Sequence, residues 1–527
     1  MPVARVVPRT RLQTAGAWCG YCAQYNHTMT AASLLYSTAQ VRALDAYAIA
    51  HGTSGYTLMK RAGETALRAL RSRWPTALQV CVVAGGGNNG GDGYVLARFA
   101  QAAGLNAAVL AVTPPERLAG DARTAWQDFR ASGGQMLAYS AERLAQADVI
   151  VDALLGTGLN SNVRAPIATA IADINASARP VLSLDLPSGL NADSGAVMGA
   201  AVRADCTISF VALKTGLFLR DGPEYAGRLL FDDLEVAVPD EPGFTALLER
   251  LGEGEIARAL PSRRRQANKG DFGRVLIVGG GAGMPGAARL AGESCLRVGA
   301  GLVTVASARE NQAMIVAGRP ELMVHAVDHP DELAPLLQAA DVVAIGPGLG
   351  RSEWAQRLLE RTLSSGKRLV IDADALNLLA ANQLIAPAGA VLTPHPGEAA
   401  RLLGIGTDAV QTDRIAALHA LTRRHPGAVI VLKGAGTLIG VAHAAGTSPM
   451  PAICERGNPG MAAAGMGDVL TGAIAGILGQ CTDPWLAARA GVMAHALAGD
   501  DLARERERGI LALELADALN RWVNLRR

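Results

Sequence analysis

From Ser37 onward the apolar positions fall at helical spacing: Val41, Leu44, Tyr47 and Ala48 share one face, and Ser37 or Thr38 can cap the start. A second helix is predicted over 56–71. The period then changes. Short apolar runs at 78–84, 106–112, 148–154, 180–186 and 206–213 alternate with helical stretches, the mark of a parallel sheet covered on both faces. Proline, glycine and charge interrupt the pattern from Val238, which puts a domain boundary near residue 240. A second alternation runs through 274–280, 301–307, 341–347, 368–374, 389–395 and 428–434, then ends in a long helical C-terminus from Gly467. The halves are not obvious copies of one another, and no short repeat occurs. The expectation is an α/β protein of two domains, each a mostly parallel sheet flanked by helices: 30–240 and 253–527, joined by a linker over 241–252.

Composition narrows the class. Half of the 527 residues are hydrophobic, yet no apolar run reaches the roughly 18 residues that a membrane helix needs. The net charge of +2 is spread without blocks, so neither nucleic acid nor a membrane is expected as a partner. Seven scattered cysteines fit a reduced, cytoplasmic protein; a homo-oligomer is expected. The first 28 residues have no acid, no clear period and no signal-peptide core. Cys19 and Cys22 there have redox or zinc spacing without a second pair, and 1–29 is expected to be a disordered extension or to lie upstream of a start near Met29. Of the 49 cations five are lysines, so Lys214 and Lys433, each inside a glycine-bearing motif, stand out as compact point charges.

The stretch from Gly85 to Gly93 holds six glycines with Asn88, Asn89 and Asp92. Gly85, Gly87 and Gly90 match the dinucleotide fingerprint, but the next strand ends in Val112 and Thr113 rather than the ribose-gripping acid of a hydride-transfer domain. A plain turn needs about two glycines. The backbone N–H groups of Asn88, Asn89, Gly90 and Gly91 at a helix start can instead cradle phosphate. The asparagine oxygens can bind a cation, and Asp92 can cap the helix or meet the ligand. Two further strand ends carry acids: Asp152, followed by Gly156, Thr157 and Gly158, and Asp185, followed by Pro187, Ser188 and Gly189. Lys214 follows another. Ligands of open α/β sheets bind beyond the carboxyl ends of the strands, so these segments are expected to share one pocket. For Asp185 a turn-capping carboxylate is the competing reading.

The segments NNGGDG, DALLGTGL, DLPSG and LKTG together resemble the NAD(P)H-hydrate epimerase domain over 30–239, a Rossmann-like fold. The resemblance implies that the hydrated cofactor NAD(P)HX lies against Asn88, Asn89, Gly90, Gly91, Asp92, Gly156, Thr157, Gly158, Leu159, Asn160, Ser161, Asn162 and Asp185. It also implies a potassium ion held by Asn89, Asp152 and Ser188, in keeping with the hard oxygens gathered there. Asp185 is the candidate for proton transfer at C6 of the hydrated ring, with Lys214 stabilising developing charge.

In the second half, Gly465-Met466-Gly467-Asp468 opens an apolar helix. Free amides there can hold a transferring phosphoryl group while Asp468 accepts the proton of an attacking hydroxyl. Lys433 with Gly434, Ala435, Gly436 and Thr437 forms a glycine turn suited to nucleotide phosphates, and no Walker loop occurs. The runs GGGAGMPGAARLAG, GPGLG, DADAL, LTPHPGE, VLKGAGT and GNPGMAAAGMGD resemble the ribokinase-like, ADP-dependent NAD(P)H-hydrate dehydratases over 253–524. That likeness implies an ADP or AMP site at Lys433, Gly434, Ala435, Gly436, Thr437 and Gly467, magnesium with the ADP, and NAD(P)HX contacts at Ala287, Gly348, His395 and Asp468. Asp372 and Asp374 read as structural or magnesium-side groups. Ala464 departs from the family, whose members more often carry glycine there. The rival reading is a vitamin or sugar kinase fused to a nucleotide-binding regulatory domain. A non-enzymatic sensor that binds NAD(P)HX without turnover is a third.

Overall fold

The computed structural model describes residues 33–443 and 447–524; the readings made for 1–29, Cys19 and Cys22 included, lie outside the described residues. The first alternation folds into a seven-stranded sheet. In spatial order its strands are Gln135–Leu137, Asn106–Ala111, Gln79–Ala84, Val149–Ala153, Val181–Leu184, Cys206–Phe210 and Arg228–Asp232. All pair in parallel. Alternate side chains feed two cores: Val80 and Val82 enter one, Cys81 and Val83 the other. Burial on both faces is why these strands read as unbroken apolar runs rather than alternating ones. The two expected helices form at Thr38–Ala50 and Gly55–Arg73, the first with Ser37 as cap.

The second alternation builds seven parallel strands in the order Met323–Ala326, Leu302–Ser307, Arg274–Val278, Val342–Ile345, Arg368–Ile371, Val391–Leu392 and Val429–Leu432. Two antiparallel strands follow, Thr437–Val441 and Ala452–Cys454. The sheet does not stop there. Leu248–Arg250 pairs with Ala452–Cys454, Leu34–Tyr36 pairs with Leu248–Arg250, and Leu213–Lys214 pairs with Leu34–Tyr36, for twelve strands in all.

Two expectations change. The segment 241–252, read as a linker, contains Leu248–Arg250, a strand inside the second sheet. Proline, glycine and charge around it hid a run of three residues. The run 206–213, read as one strand, is two: Cys206–Phe210 lies in the first sheet and Leu213–Lys214 in the second. The chain crosses between them at Val211, whose φ of 64° is left-handed, a costly conformation for a β-branched residue that only its surroundings can impose. Leu35, Leu213, Phe218 and Leu248 consequently share one core with Leu276 and Val278 of the second half.

A buried charge cluster secures the joining strand. Arg489, from helix Pro484–Ala503, donates to Glu255 at 2.8 and 2.9 Å and also pairs with Glu249 of Leu248–Arg250. Glu255 is 3% exposed and is left with Arg258 alone if Arg489 is removed, losing two hydrogen bonds to a buried carboxylate, while Glu249 loses its partner in the same cluster. Arg489→Ala is expected to cost about 3–5 kcal/mol in urea denaturation, whereas Arg504→Ala, which removes an exposed guanidinium and leaves its partner Asp501 paired with Arg521, is expected to cost under about 1 kcal/mol.

Candidate functional site

In the first half the helix Asn88–Ala102 begins at Asn88 with Gly87 as cap and without a side-chain capping bond, so its first amides have no intrahelical partner. Packing accounts for much of the glycine. A Cβ at Gly85 would lie 1.9 Å from the Leu154 carbonyl oxygen, and one at Gly90 would lie 2.3 Å from that of Gly85. Asn89 is buried against the neighbouring strand ends: its Nδ2 donates to the Leu155 carbonyl at 2.9 Å, while its Oδ1 is buried without a partner. Beside it, the Ser188 Oγ donates to Asp152 at 2.6 Å and accepts from the Leu155 N–H at 2.8 Å. Ser183 Oγ and the Ser188 N–H donate to the other Asp152 oxygen at 2.8 and 2.9 Å. Burial pushes the Asp152 carboxyl up, against the lowering effect of these hydrogen bonds.

Asp185 also has a left-handed φ, 67°, and follows strand Val181–Leu184. Its Oδ1 pairs with the ammonium of Lys214, which donates as well to Ser209 Oγ at 3.2 Å and to the Phe210 carbonyl at 2.8 Å. The capping reading is thus partly met, because the Phe210 N–H lies 3.4 Å from that same Oδ1. The second oxygen, Oδ2, faces Gly156, 3.8 Å from where a Cβ there would stand; Asn89 Cβ would be 3.4 Å away. Asn89, Gly156 and Asp185 therefore meet in one place. Thr157, Gly158, Leu159 and Asn160 continue into a pocket of about 270 Å³ beside Arg42, whose Nη2 donates to the Thr157 carbonyl at 3.3 Å. Ser161 and Asn162 are exposed, with Asn162 against Gly199.

One residue of this cluster escaped the sequence reading. Asp45, one helical turn beyond Arg42, is pushed up to about 6 by burial, with Lys214 pulling it down and Asp185 adding to the rise. Burial, then Asp185 and Asp45, drive the Asp92 carboxyl well above the usual range, against Lys214. Three carboxyls thus share a single ammonium, which favours a proton on at least one of them. A polar residue directly after Leu44, toward the buried side of an amphipathic helix, was the available signal.

In the second half, Asp372, Thr393, His395 and Lys433 follow three adjacent strands. Lys433 donates to Asp372 at 2.7 Å and lies 3.8 Å from Glu398; Thr471 Oγ1 donates to the second Asp372 oxygen at 2.6 Å. Burial opposes both charges, yet the ion pair and its hydrogen bonds win: Asp372 is held below the usual range and Lys433 above its own. Gly467 sits over this pair, its Cβ position 3.5 Å from Lys433 Nζ and 3.9 Å from Asp372 Oδ2. The helix Met466–Cys481 is capped by Gly465 in a left-handed conformation and has no side-chain cap, so Asp468 does not serve as one. Its carboxyl is pushed up to about 7 by burial and by Asp372 and Asp374, against Lys433.

His395 caps helix Pro396–Leu403: its Nδ1 accepts the Gly397 N–H at 3.0 Å, and its half-exposed ring lies 3.4 Å from Glu398. Burial, then Lys433 and Arg401, lower its pKa. Ala287 and Gly348 touch across the edge, with a Cβ at Gly348 only 3.0 Å from that of Ala287. Gly434, Ala435 and Thr437 lie at the surface of the turn while Gly436 is buried, and Ala464 is exposed. Two further residues were missed. Glu398, pushed up to about 7 by burial, then Lys433 (downward) and Asp372 (upward), joins the cluster. Arg414, buried, donates to the carbonyls of Leu432, Lys433 and Gly436 at 3.2–3.3 Å and so supports the turn 433–437 from beneath.

Comparison with known proteins matches residues 55–216 to the model of the YjeF-related protein N-terminus and residues 275–521 to that of NAD(P)H-hydrate dehydratase. A bifunctional NAD(P)H-hydrate repair enzyme of Coxiella burnetii is 46% identical over 499 residues, covering 93% of this chain and all of the relative. Its counterpart of Escherichia coli is 44% identical over 476 residues, covering 90% of each. An ADP/ATP-dependent NAD(P)H-hydrate dehydratase of Bacillus subtilis, co-crystallised with ATP and Mg²⁺, is 32% identical with a TM-score of 0.46, covering 51% of this chain and 96% of that one. Relatives matched through both halves leave no room for a kinase with an unrelated regulatory domain. The chain belongs to the family of bifunctional NAD(P)H-hydrate repair enzymes.

Proposed function

We propose that the chain repairs hydrated nicotinamide cofactors in two steps, the first half interconverting R- and S-NAD(P)HX and the second dehydrating the S form with ADP. The observation that carries the reading is the meeting of Asp468, Gly467 and the Lys433 turn at one strand edge, in a chain that a relative named for that activity matches over 93% of its length.

In the first half NAD(P)HX lies against the free amides of Asn88, Asn89 and Gly90 and along 156–162. Asp185 Oδ2, facing Gly156, gives a proton to the C6 hydroxyl so that water leaves as the ring-nitrogen lone pair moves into the N1–C6 bond, and takes a proton back as water adds to the opposite face. Lys214 meanwhile holds the other oxygen and offsets the negative charge left on the carboxylate. Asp92, whose carboxyl sits well above the usual range, favours the proton-bearing form and so can donate a hydrogen bond. Potassium fits beside this site: the orphaned Asn89 Oδ1, Asp152 and Ser188 supply hard oxygens with little net charge. Such an ion would anchor the loop behind the substrate.

In the second half Asp468 takes the proton of the C6 hydroxyl as that oxygen attacks the β-phosphorus of ADP, and AMP leaves. The phosphate then departs from C6 with the neighbouring C5 proton, restoring the ring double bond of NAD(P)H. The amides at Gly467 and the Lys433 ammonium hold the transferring group, and the turn 433–437, braced by Arg414, holds the nucleotide. Magnesium with the donor phosphates fits the cluster as well, because carboxyls such as Glu398, pushed up to about 7, return to the ionised form beside a divalent cation.

Incubation of the R,S mixture of NADPHX with ADP is expected to return all of it to NADPH by absorbance, and recovery of only the S fraction would remove the epimerase step. Asp468→Asn is expected to abolish recovery while epimerisation, followed by chromatography, survives. Since the base form of a carboxyl at about 7 grows as pH rises, dehydratase kcat/KM is expected to climb through that pH and level off above it. Epimerisation is expected to require potassium, with sodium at equal ionic strength a poor substitute. Ser188→Ala, which removes one oxygen and its bond to Asp152, is expected to raise the potassium needed for half-activation about ten-fold.

A further inference from the structure

The reaction centre of the second half rests on a stretch with little rigidity of its own. Gly465-Met466-Gly467 sets a glycine on each side of one residue, so the backbone there is freer than at an ordinary helix start. Packing fixes Gly465: it is left-handed, with φ 88°, and a Cβ on it would meet Leu290 at 2.6 Å. The next peptide, between Met466 and Gly467, is held in another way. His495, on helix Pro484–Ala503, places its Nε2 2.9 Å from the Met466 carbonyl oxygen. A carbonyl only accepts, so Nε2 carries the hydrogen and donates. Burial, opposed by this bond and aided by Lys433, lowers the ring's pKa to about 4, so the imidazole is neutral near pH 7 and holds the Nε2–H tautomer.

The Met466 carbonyl and the Gly467 N–H belong to one planar trans peptide and point in opposite directions. A donor that fixes the carbonyl therefore aims the amide. A hydrogen bond at one end of a peptide also strengthens the bond made at its other end. The same helix holds the start of the loop as well. Asp500, farther along it, accepts the Gly457 N–H at 3.2 Å and the Asn458 side-chain amide at 3.1 Å. Met461 lies against Gly499, where a Cβ would come within 2.2 Å of its sulfur. Helix Pro484–Ala503 is thus a template for the loop from Gly457 to Gly467, and His495 is its contact nearest Asp468. Resting on the repair reading above, we propose that His495 is a positioning residue of the dehydratase: through the Met466 carbonyl it aims and strengthens the Gly467 N–H that meets the non-bridging oxygens of the β-phosphoryl group in transit. In that step the C6 oxygen bonds to the phosphorus as Asp468 takes its proton, the bond to the bridging oxygen breaks, and AMP leaves with the electron pair. His495 acts at one remove from these atoms. Its effect falls on the transition state, where charge spreads over the oxygens that the amide meets.

Methionine and glutamine are nearly isosteric, and of the two glutamine alone carries an N–H to replace that of Nε2. In the full chain His495→Met is expected to lower dehydratase kcat and kcat/KM together by about 30-fold, short of the roughly 10²–10³ for a donor deleted outright. The KM values for S-NADPHX and ADP are expected to stay within about two-fold, because contacts made equally in the ground state are untouched. His495→Gln is expected to keep kcat within about three-fold of the wild-type chain, its N–H again meeting the carbonyl. Epimerisation by the same molecules counts the folded chains and is expected to be unchanged in both variants. A wild-type kcat in His495→Met, an equal fall in His495→Met and His495→Gln, a loss carried by the ADP KM, or a loss matched by lost epimerisation overturns the proposal. A wild-type chain that turns over neither hydrate overturns the repair reading itself, so the two failures are distinguishable.

Discussion

Parallel strands deliver all their carboxyl ends to one side of a sheet, and both candidate sites of this chain are built along such edges. The constraint explains the economy of the arrangement. Residues as distant in sequence as Asn89, Asp152, Asp185 and Ser188, or Asp372, His395, Lys433 and Asp468, need no special folding to meet. Asp152 is the penultimate residue of its strand, Asp185, Asp372 and Lys433 are the first after theirs, and Ser188 is the fourth after Leu184. His395 caps a helix, and Asn89 and Asp468 lie in a first helical turn. Helix starts add unpaired amides to the same edge. What differs between the edges is the balance of charge. The first gathers Asp45, Asp92 and Asp185 around Lys214, a surplus of carboxyls suited to moving protons. The second seats Lys433 between Asp372 and Glu398 under a glycine helix start, a place for a phosphoryl group and a base.

That division decided what could be read from the sequence. Strands buried on both faces are short apolar runs, and nearly every one drawn from the pattern forms within a few residues of its expected bounds. Strand-end acids and glycines were legible for the same reason, since the motif and the edge coincide. Arg414, Asp45 and Glu398 were not. They lie within or on helices, flanked by ordinary residues, and only tertiary packing turns Arg414 toward three carbonyls of the turn. The crossing at Val211 was hidden too, because local preference argues against a left-handed valine and only the competing demands of two sheets override it.

The glycine-rich loop carries a subtler lesson. Its six glycines invited a ligand-binding explanation, and the helix start they precede does leave amides free. Yet Gly85, Gly90, Gly91 and Gly93 each stand where a methyl group would meet another atom within 3.0 Å, so close packing of strand, loop and helix asks for them independently. The ligand argument rests more firmly on Asn89, a buried amide with one oxygen unmet, than on the glycines around it.

The shared sheet bears on why the halves work as one chain. Leu213–Lys214, Leu34–Tyr36 and Leu248–Arg250 cover the edge that Ala452–Cys454 would otherwise expose, and an uncovered edge is a template for aggregation. The strand that closes the second sheet also ends in Lys214, the ammonium of the first site. A few residues on, the Phe218 carbonyl lies 2.7 Å from the Cβ position of Gly436, in the nucleotide turn. Arg250, from the joining strand, lies over the Phe218 ring and pairs with Glu455. Cutting the chain near residue 240 would therefore do more than separate two activities. It would strip two strands, Leu34–Tyr36 and Leu213–Lys214, from the second sheet, leave Leu248–Arg250 as its bare edge, and take from the strand that bears Lys214 the sheet it extends.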